Sequence, residues 1–196
     1  MSIEDKNRWN EKYKDDKIPQ TPSELVSKYS KLANGKNALD IACGMGRHSK
    51  FLAQEGFSVD ALDISDVAIS NLQNIANINA KEVDFDTYRL EKNKYDLIVC
   101  TYFLERKLFP QMLDALRDRG LILIETFLHH SDNKRKSSNP AFRLNEGELE
   151  ATFDDKFELL HIIEYWDKDY MGYKTMKTAM VARKKFGGMS DDDFWK

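Results

Sequence analysis

Apolar positions cluster in four short runs, at 38–42, 57–62, 95–101 and 121–127. Each run is close to continuous rather than alternating, as in a strand covered on both faces. The stretches between them have helical spacing. Phe51 and Leu52 face inward on a helix predicted from Arg47 to Glu55, with Gly56 as its stop. Ile69, Leu72 and Ala76 form the buried stripe of the next helix, which Ser65 caps and Asp66 favours at its positive end. Pro110 opens a third helix with Met112, Leu113 and Leu116 inward, and Gly120 closes it. A shorter strand ends at Asp84 and Phe85. This strand–helix rhythm predicts an α/β, doubly wound, mainly parallel sheet with right-handed crossovers.

The two ends of the chain follow other patterns. Residues 4–16 are highly charged, and Trp9 and Tyr13, four apart, share one helix face. The break at Ile18-Pro19-Gln20-Thr21-Pro22 is followed by Ser23, which caps a helix carrying Leu25, Val26 and Tyr29. Residues 1–30 are therefore expected to form a helical lid, its aromatic pair serving either to dock the helix or to cover a ligand. Residues 129–144 read as a polar loop with Lys134, Arg135 and Lys136, followed by a capping box of Asn145 and Glu148. Segments 157–165 and 175–183 then read as an antiparallel hairpin. Residues 1–186 are expected to form one domain, with 187–196, including Asp191, Asp192 and Asp193, as a loose tail.

Composition narrows the function classes. A net charge of −3 over 196 residues is unlike the basic footprint of a nucleic-acid binder. No apolar run reaches membrane-spanning length, and Met1-Ser2-Ile3-Glu4-Asp5-Lys6 has no signal-peptide core. Cys43 and Cys100 both fall at strand ends and read as reduced, buried thiols. These features predict a cytoplasmic protein with no membrane or nucleic-acid partner. His129 and His130 are adjacent, but no cysteine or acid cluster accompanies them, so no metal site is expected.

The chemistry converges on Asp40-Ile41-Ala42-Cys43-Gly44-Met45-Gly46-Arg47. Gly44 and Gly46 permit a tight turn between strand and helix, with backbone N–H groups turned toward a ligand. The spacing departs from the dinucleotide fingerprint, because the third glycine position is Ser49. Asp40-x-Ala42-x-Gly44-x-Gly46 resembles motif I of class I S-adenosylmethionine (SAM)-dependent methyltransferases, with Ala42 where that family more often has glycine. Together with 95–99 and 178–185, it is similar to the tellurite-resistance and thiopurine-type small-molecule branch. The resemblance implies a seven-stranded Rossmann-like sheet with an antiparallel C-terminal hairpin, SAM as cofactor and a small-molecule methyl acceptor.

The resemblance also assigns stations. Asp40, Ala42, Cys43, Gly44, Gly46 and Arg47 belong to the cofactor turn. Asp63 and Ile64 follow the second strand about 20 residues later, where such a sheet presents an acid to ribose hydroxyls; Asp63 also reads as a helix-start acid. Asp84 and Phe85 stand at the adenine station. Thr101 and Tyr102 stand near the sulfonium and the acceptor, although Tyr102 also reads as a core aromatic. Trp9 and Tyr13 extend the cofactor set. Candidate bases are His129, His130, Tyr102 and, behind them, His48; the histidine pair reads equally as solvated loop. His161, in an alternating strand, reads as structural. A non-catalytic SAM-binding protein and a nicotinamide-dependent oxidoreductase are the alternatives.

Overall fold

The computed structural model describes residues 3–14, 18–134, 140–153 and 155–187. Seven strands, β1 (Asn37–Ile41), β2 (Ser58–Asp63), β3 (Ile78–Glu82), β4 (Tyr95–Thr101), β5 (Leu116–Phe127), β6 (Phe157–Lys168) and β7 (Lys174–Lys184), form one sheet in the order β3-β2-β1-β4-β5-β7-β6. The first five run parallel, and β7 enters antiparallel between β5 and β6. This is the expected doubly wound sheet with its closing hairpin. Helices α1 (Ile3–Lys12), α2 (Glu24–Tyr29), α3 (Arg47–Gln54), α4 (Asp66–Ser70), α5 (Phe109–Ala115) and α6 (Glu148–Phe153) accompany it.

Burial follows the apolar runs. Leu39, Ile41, Ile98, Ile122 and Met180 belong to the cluster on one face, with Met112, Leu149 and Phe153 packed over them. Ala38, Leu97, Val99, Leu121 and Val181 line the other face beneath Leu25, Val26 and Leu52. Alternate residues of each central strand thus go to opposite cores, which is why these strands are apolar throughout.

The expected caps form. Ser23 Oγ accepts from the Val26 N–H at 3.5 Å, Ser65 Oγ from the Ala68 N–H at 3.1 Å, and Glu148 from the Asn145 N–H at 2.9 Å. Three boundaries are corrected. The third strand ends at Glu82, where its pairing with Asp63 of β2 ends, and not at Asp84 and Phe85. The helix after Ser65 ends at Ser70, and Ala76 is exposed rather than buried. Asn74 and Asn77 take left-handed backbone there, a conformation asparagine tolerates and a helix cannot continue through. The fifth strand begins at Leu116, not after Gly120. Lys184 Nζ caps the carbonyls of Leu113 and Leu116 at 2.8 and 2.7 Å, closing α5 early, and the register shifts between Tyr95 and Leu97. The basic run keeps only Lys134 within the described residues, exposed, while Arg135 and Lys136 lie outside them. Of the tail, 188–196 lie outside them too. Among the described residues no helix is long and apolar enough to cross a membrane.

Candidate active site

A cleft of about 1320 Å³ opens above the carboxyl ends of β1, β2 and β4 and runs on across the hairpin face. That is larger than the roughly 300–1,000 Å³ of most small-ligand pockets, so it has room for two reactants.

The turn after β1 builds its floor. The Cys43 N–H is held by the Leu62 carbonyl at 3.0 Å, and the Gly46 N–H returns to Cys43 at 3.0 Å. Asn71 steadies the Met45 carbonyl at 3.1 Å. Ala42, Gly44 and Gly46 all have positive φ, at 53°, 53° and 75°. A methyl at Ala42 therefore sits where glycine is preferred, at a cost of roughly 1–2 kcal/mol, less the entropy glycine would lose. Ala42→Gly is expected to raise stability by about 0.5–1 kcal/mol; an unchanged denaturant midpoint would show that the surrounding contacts already absorb the strain.

Asp63 closes the turn from the side. Its carboxylate accepts from the Gly44 N–H at 2.8 Å and the Ser65 N–H at 2.9 Å. The Tyr13 hydroxyl also donates to it. Burial raises the Asp63 carboxyl above its ordinary range, against these hydrogen bonds. The Tyr13 ring stands over Gly44, where an added Cβ would meet the phenol oxygen at 3.0 Å. The absence of a side chain at Gly44 is therefore what lets the Tyr13 ring lie against the turn. Ile64, Phe85 and Thr101 continue the lining, Phe85 packing against Phe103 at 5.3 Å.

Two buried groups lie beneath this end. Asp40 is not in the cleft wall; it accepts from Ser49 Oγ at 2.6 Å, under the turn. Burial pushes its carboxyl up to about 7, Ser49 opposing. An unfolded aspartate titrates near 3.9. Between about pH 4 and 7 the folded chain holds a proton that the unfolded chain has lost, so stability falls as pH rises through that window. Asp40→Asn is expected to flatten this slope, which amounts to at most about 1.4 kcal/mol per pH unit; identical slopes in denaturant melts of both proteins would contradict it. His48 does line the cleft, and burial lowers its pKa to about 3, Arg47 adding to the effect. Its Nε2 accepts from the Ser23 N–H at 3.2 Å, so the neutral ring carries its proton on Nδ1, 3.4 Å from Thr101 Oγ1. Its one basic nitrogen is thus already committed.

The roof is α1. Trp9 and Tyr13 stack with centroids 5.4 Å apart, and both line the cleft. Asn10 binds Asp66 and Ser65 at 2.6 Å each, and Lys6 reaches Glu82 at 2.5 Å. Lys12 lies between the rings of Trp9 and Tyr170, joining the helix to the turn between β6 and β7.

The far end lies on the hairpin. Tyr102 follows β4 with φ of 56°, its N–H on the Glu125 carbonyl at 2.7 Å. Its hydroxyl donates to the Glu125 carboxylate and accepts from Lys177 Nζ at 3.1 Å. Lys177 also binds Asp167 at 2.8 Å. Arg47 lies 5.5 Å from the Tyr102 ring centre.

The structure thus brings Trp9, Tyr13, Ala42, Cys43, Gly44, Arg47, Asp63, Ile64, Phe85, Thr101 and Tyr102 to one cleft. Gly46 and Asp40 support it from below, and Asp84 stays outside the wall, accepting from the Asp86 N–H at 2.9 Å. His129 and His130 do not line the cleft. Both are exposed, and His130 packs edge-on against Trp166 at 4.7 Å. The reason is the bridge between Leu128 and Leu144, which turns the chain outward after β5 and returns Phe142 and Arg143 to the wall instead. His161 lines the cleft and stacks on Tyr29 at 5.2 Å. Glu125, Tyr165 and Lys177 were not anticipated, although a glutamate inside the apolar run 121–127 was a visible signal. Among the described residues no group of three or more histidines, cysteines or acids could hold a metal.

Comparison with known proteins is consistent with this geometry. The family described as tellurite resistance protein TehB matches residues 1–182. The crystal structure of TehB from Haemophilus influenzae is similar with a TM-score of 0.72 and 26% identity, over 92% of this chain and 67% of that one. A SAM-dependent methyltransferase from Methanosarcina mazei has the same fold, with a TM-score of 0.69 at 18% identity over 85% of this chain and 99% of that one. The ubiquinone biosynthesis O-methyltransferase of Coxiella burnetii is 33% identical over 84 residues, 40% of this chain and 36% of its own. The chain thus spans about a third of the length of the first curated relatives it matches.

Proposed function

The chain belongs to the family of tellurite resistance protein TehB, and from that premise we propose that it transfers a methyl group from SAM to a small-molecule nucleophile. The observation that carries this reading is the cradle of Gly44 and Asp63. A glycine turn and a buried carboxylate, joined by a 2.8 Å hydrogen bond and covered by the Tyr13 ring, face one cleft at the strand ends. Ligands of open α/β sheets bind at such ends.

The residues present fit SAM. Asp63 would receive the ribose hydroxyls, the turn at Gly44 would pass along the methionine portion, and Ile64 and Phe85 would border the base. SAM supplies a methyl carbon activated by positive sulfur. The chain's own task is to hold the nucleophile in line with that carbon and to exclude water. Trp9 on α1 and Tyr13 just past its end provide the cover, and Phe127, Phe142 and Ile163 provide apolar walls for the acceptor.

Calorimetry with SAM, S-adenosylhomocysteine and NAD tests the first half. Binding of the first two without the third is the expected result, and a preference for NAD would move the protein to the oxidoreductases. Release of S-adenosylhomocysteine with a panel of small thiols, phenols and amines tests the second half. Tight SAM binding with no turnover on any of them would favour a non-catalytic SAM-binding protein.

A further inference from the structure

Resting on the reading of this cleft as a methyl-transfer site, we propose that Glu125 is the terminal proton acceptor for the incoming nucleophile, reached through the hydroxyl of Tyr102. The acceptor class that follows is a small molecule whose nucleophilic atom still carries its proton at neutral pH.

Glu125 is 5% exposed and sits in β5 among Ile124, Thr126 and other buried residues. A carboxylate in such a strand is costly unless it is hydrogen-bonded. Two phenols meet that need, since the hydroxyls of Tyr102 and Tyr165 both donate to it. Tyr102 is held at both ends by the same residue, its N–H on the Glu125 carbonyl and its hydroxyl on the Glu125 carboxylate. A bulky side chain with φ of 56° is strained. Strain of this kind persists where surrounding contacts over-determine it, and such places cluster at functional sites.

The relay lies where the acceptor must be. Thr101 pairs with Glu125 across β4 and β5, so Tyr102 emerges directly past the strand end. On the same face, Ala179 of β7 pairs with Glu125, a small residue that leaves space between Glu125 and the β6 side chains. Farther along β7, Thr175 lines the cleft at 2% exposure, and its Oγ1 has no hydrogen-bond partner among the described residues. An unpartnered buried hydroxyl in a cleft wall marks a place for a polar ligand atom.

Burial, and then the charge of Glu125, raise the Tyr102 hydroxyl above its ordinary range. It therefore stays protonated and conducts a proton rather than storing one. The charged and titratable groups around it are Glu125 on β5, Tyr165 and Asp167 on β6, Lys177 on β7, Arg47 at the start of α3 and Glu24 on α2. The nucleophile's proton passes to the Tyr102 oxygen while the Tyr102 proton passes to Glu125. The freed lone pair forms the bond to the methyl carbon, and the carbon–sulfur bond breaks with its pair left on sulfur. The products are the methylated acceptor, the neutral thioether and protonated Glu125, which returns its proton to solvent.

The test uses Glu125→Gln and Tyr102→Phe with two thiols, an aliphatic one protonated at neutral pH and a nitro-substituted arenethiol already ionised there. With the aliphatic thiol both variants are expected to lose about 10²–10⁴-fold in rate. With the arenethiol the loss should be about tenfold or less, since no proton has to be removed. The rate of each variant on the aliphatic thiol should then rise with pH in step with the thiol's own ionisation. Calorimetry should show S-adenosylhomocysteine binding both variants as it binds the parent. Equal losses on the two thiols, or loss of S-adenosylhomocysteine binding in step with the rate, would make Glu125 a structural clamp and overturn the relay. If Glu125→Gln does not fold, Tyr102→Phe, which leaves the carboxylate in place, decides alone. Methylation of the arenethiol only, by the parent protein, would also refute the relay while leaving methyl transfer standing. Methylation of neither thiol would refute transfer to small nucleophiles itself.

Discussion

Asp63→Ala is expected to weaken SAM binding about tenfold or more and to lower stability at the same time. A hydrogen bond to a charged group contributes roughly 1.5–3 kcal/mol, and each 1.4 kcal/mol is a factor of about ten in affinity. The carboxylate also satisfies the N–H groups of Gly44 and Ser65. Removing it leaves those two N–H groups without their partner, at roughly 1–3 kcal/mol each, and releases the Tyr13 hydroxyl as well. The stability loss alone would not reveal a ligand role, so Asp63→Asn is the informative companion. Its single side-chain oxygen can still accept one of the two N–H groups, but it presents no charge to ribose hydroxyls. Calorimetry at a temperature where both variants are folded separates the two effects. SAM binding by Asp63→Asn as tight as the parent's would mean that Asp63 only anchors the turn.

Gly46→Ala should be the most damaging change in the turn. The φ of 75° costs an L side chain roughly 1–2 kcal/mol. The added Cβ would also lie 2.2 Å from Leu72 Cδ2 and 2.8 Å from Cδ1. Leu72 is fully buried, so it has no free space into which to swing, and overpacking of this kind costs typically about 1–3 kcal/mol. The sum, about 2–5 kcal/mol, corresponds to a melting temperature lower by about 5–15 °C in a chain of this size. Gly56→Ala is the control. Its φ of 83° is equally unfavourable, but nothing lies within 4 Å of the added Cβ. It should lose only the backbone contribution, about 1–2 kcal/mol. Equal melting temperatures for the two variants would show that Leu72 yields and that the contact is not restrictive.

Much of this architecture is local in origin. Ser23 and Ser65 cap helices because each hydroxyl needs only the N–H three residues on. The turn at Gly44 and Gly46 is legible because backbone sterics are decided residue by residue. Asp63 could be placed because a strand, a crossover helix and a second strand fix the spacing between the first turn and the second strand's end. The helical spacing of apolar residues does not hold as far as Ala76, because left-handed Asn74 and Asn77 interrupt it. The start of β5 has no such local origin, since the carbonyls that end α5 are capped by Lys184, which is 71 and 68 residues away.

The hairpin end of the cleft had no comparable local signal. Lys177 and Tyr102 are separated by 75 residues, and Tyr102 and Glu125 by 23. They meet because β7 inserts between β5 and β6 and sets Ala179 against Glu125. The exclusion of His129 and His130 has the same kind of cause, the pairing of Leu128 with Leu144. By itself the sequence determined the strand–helix alternation, the caps, the glycine turn and the family resemblance, because those depend on contacts within a few residues or on a contiguous motif. Tertiary structure alone decided which polar side chains share the cleft, because strand order and register bring together residues whose spacing along the chain carries no periodic signal.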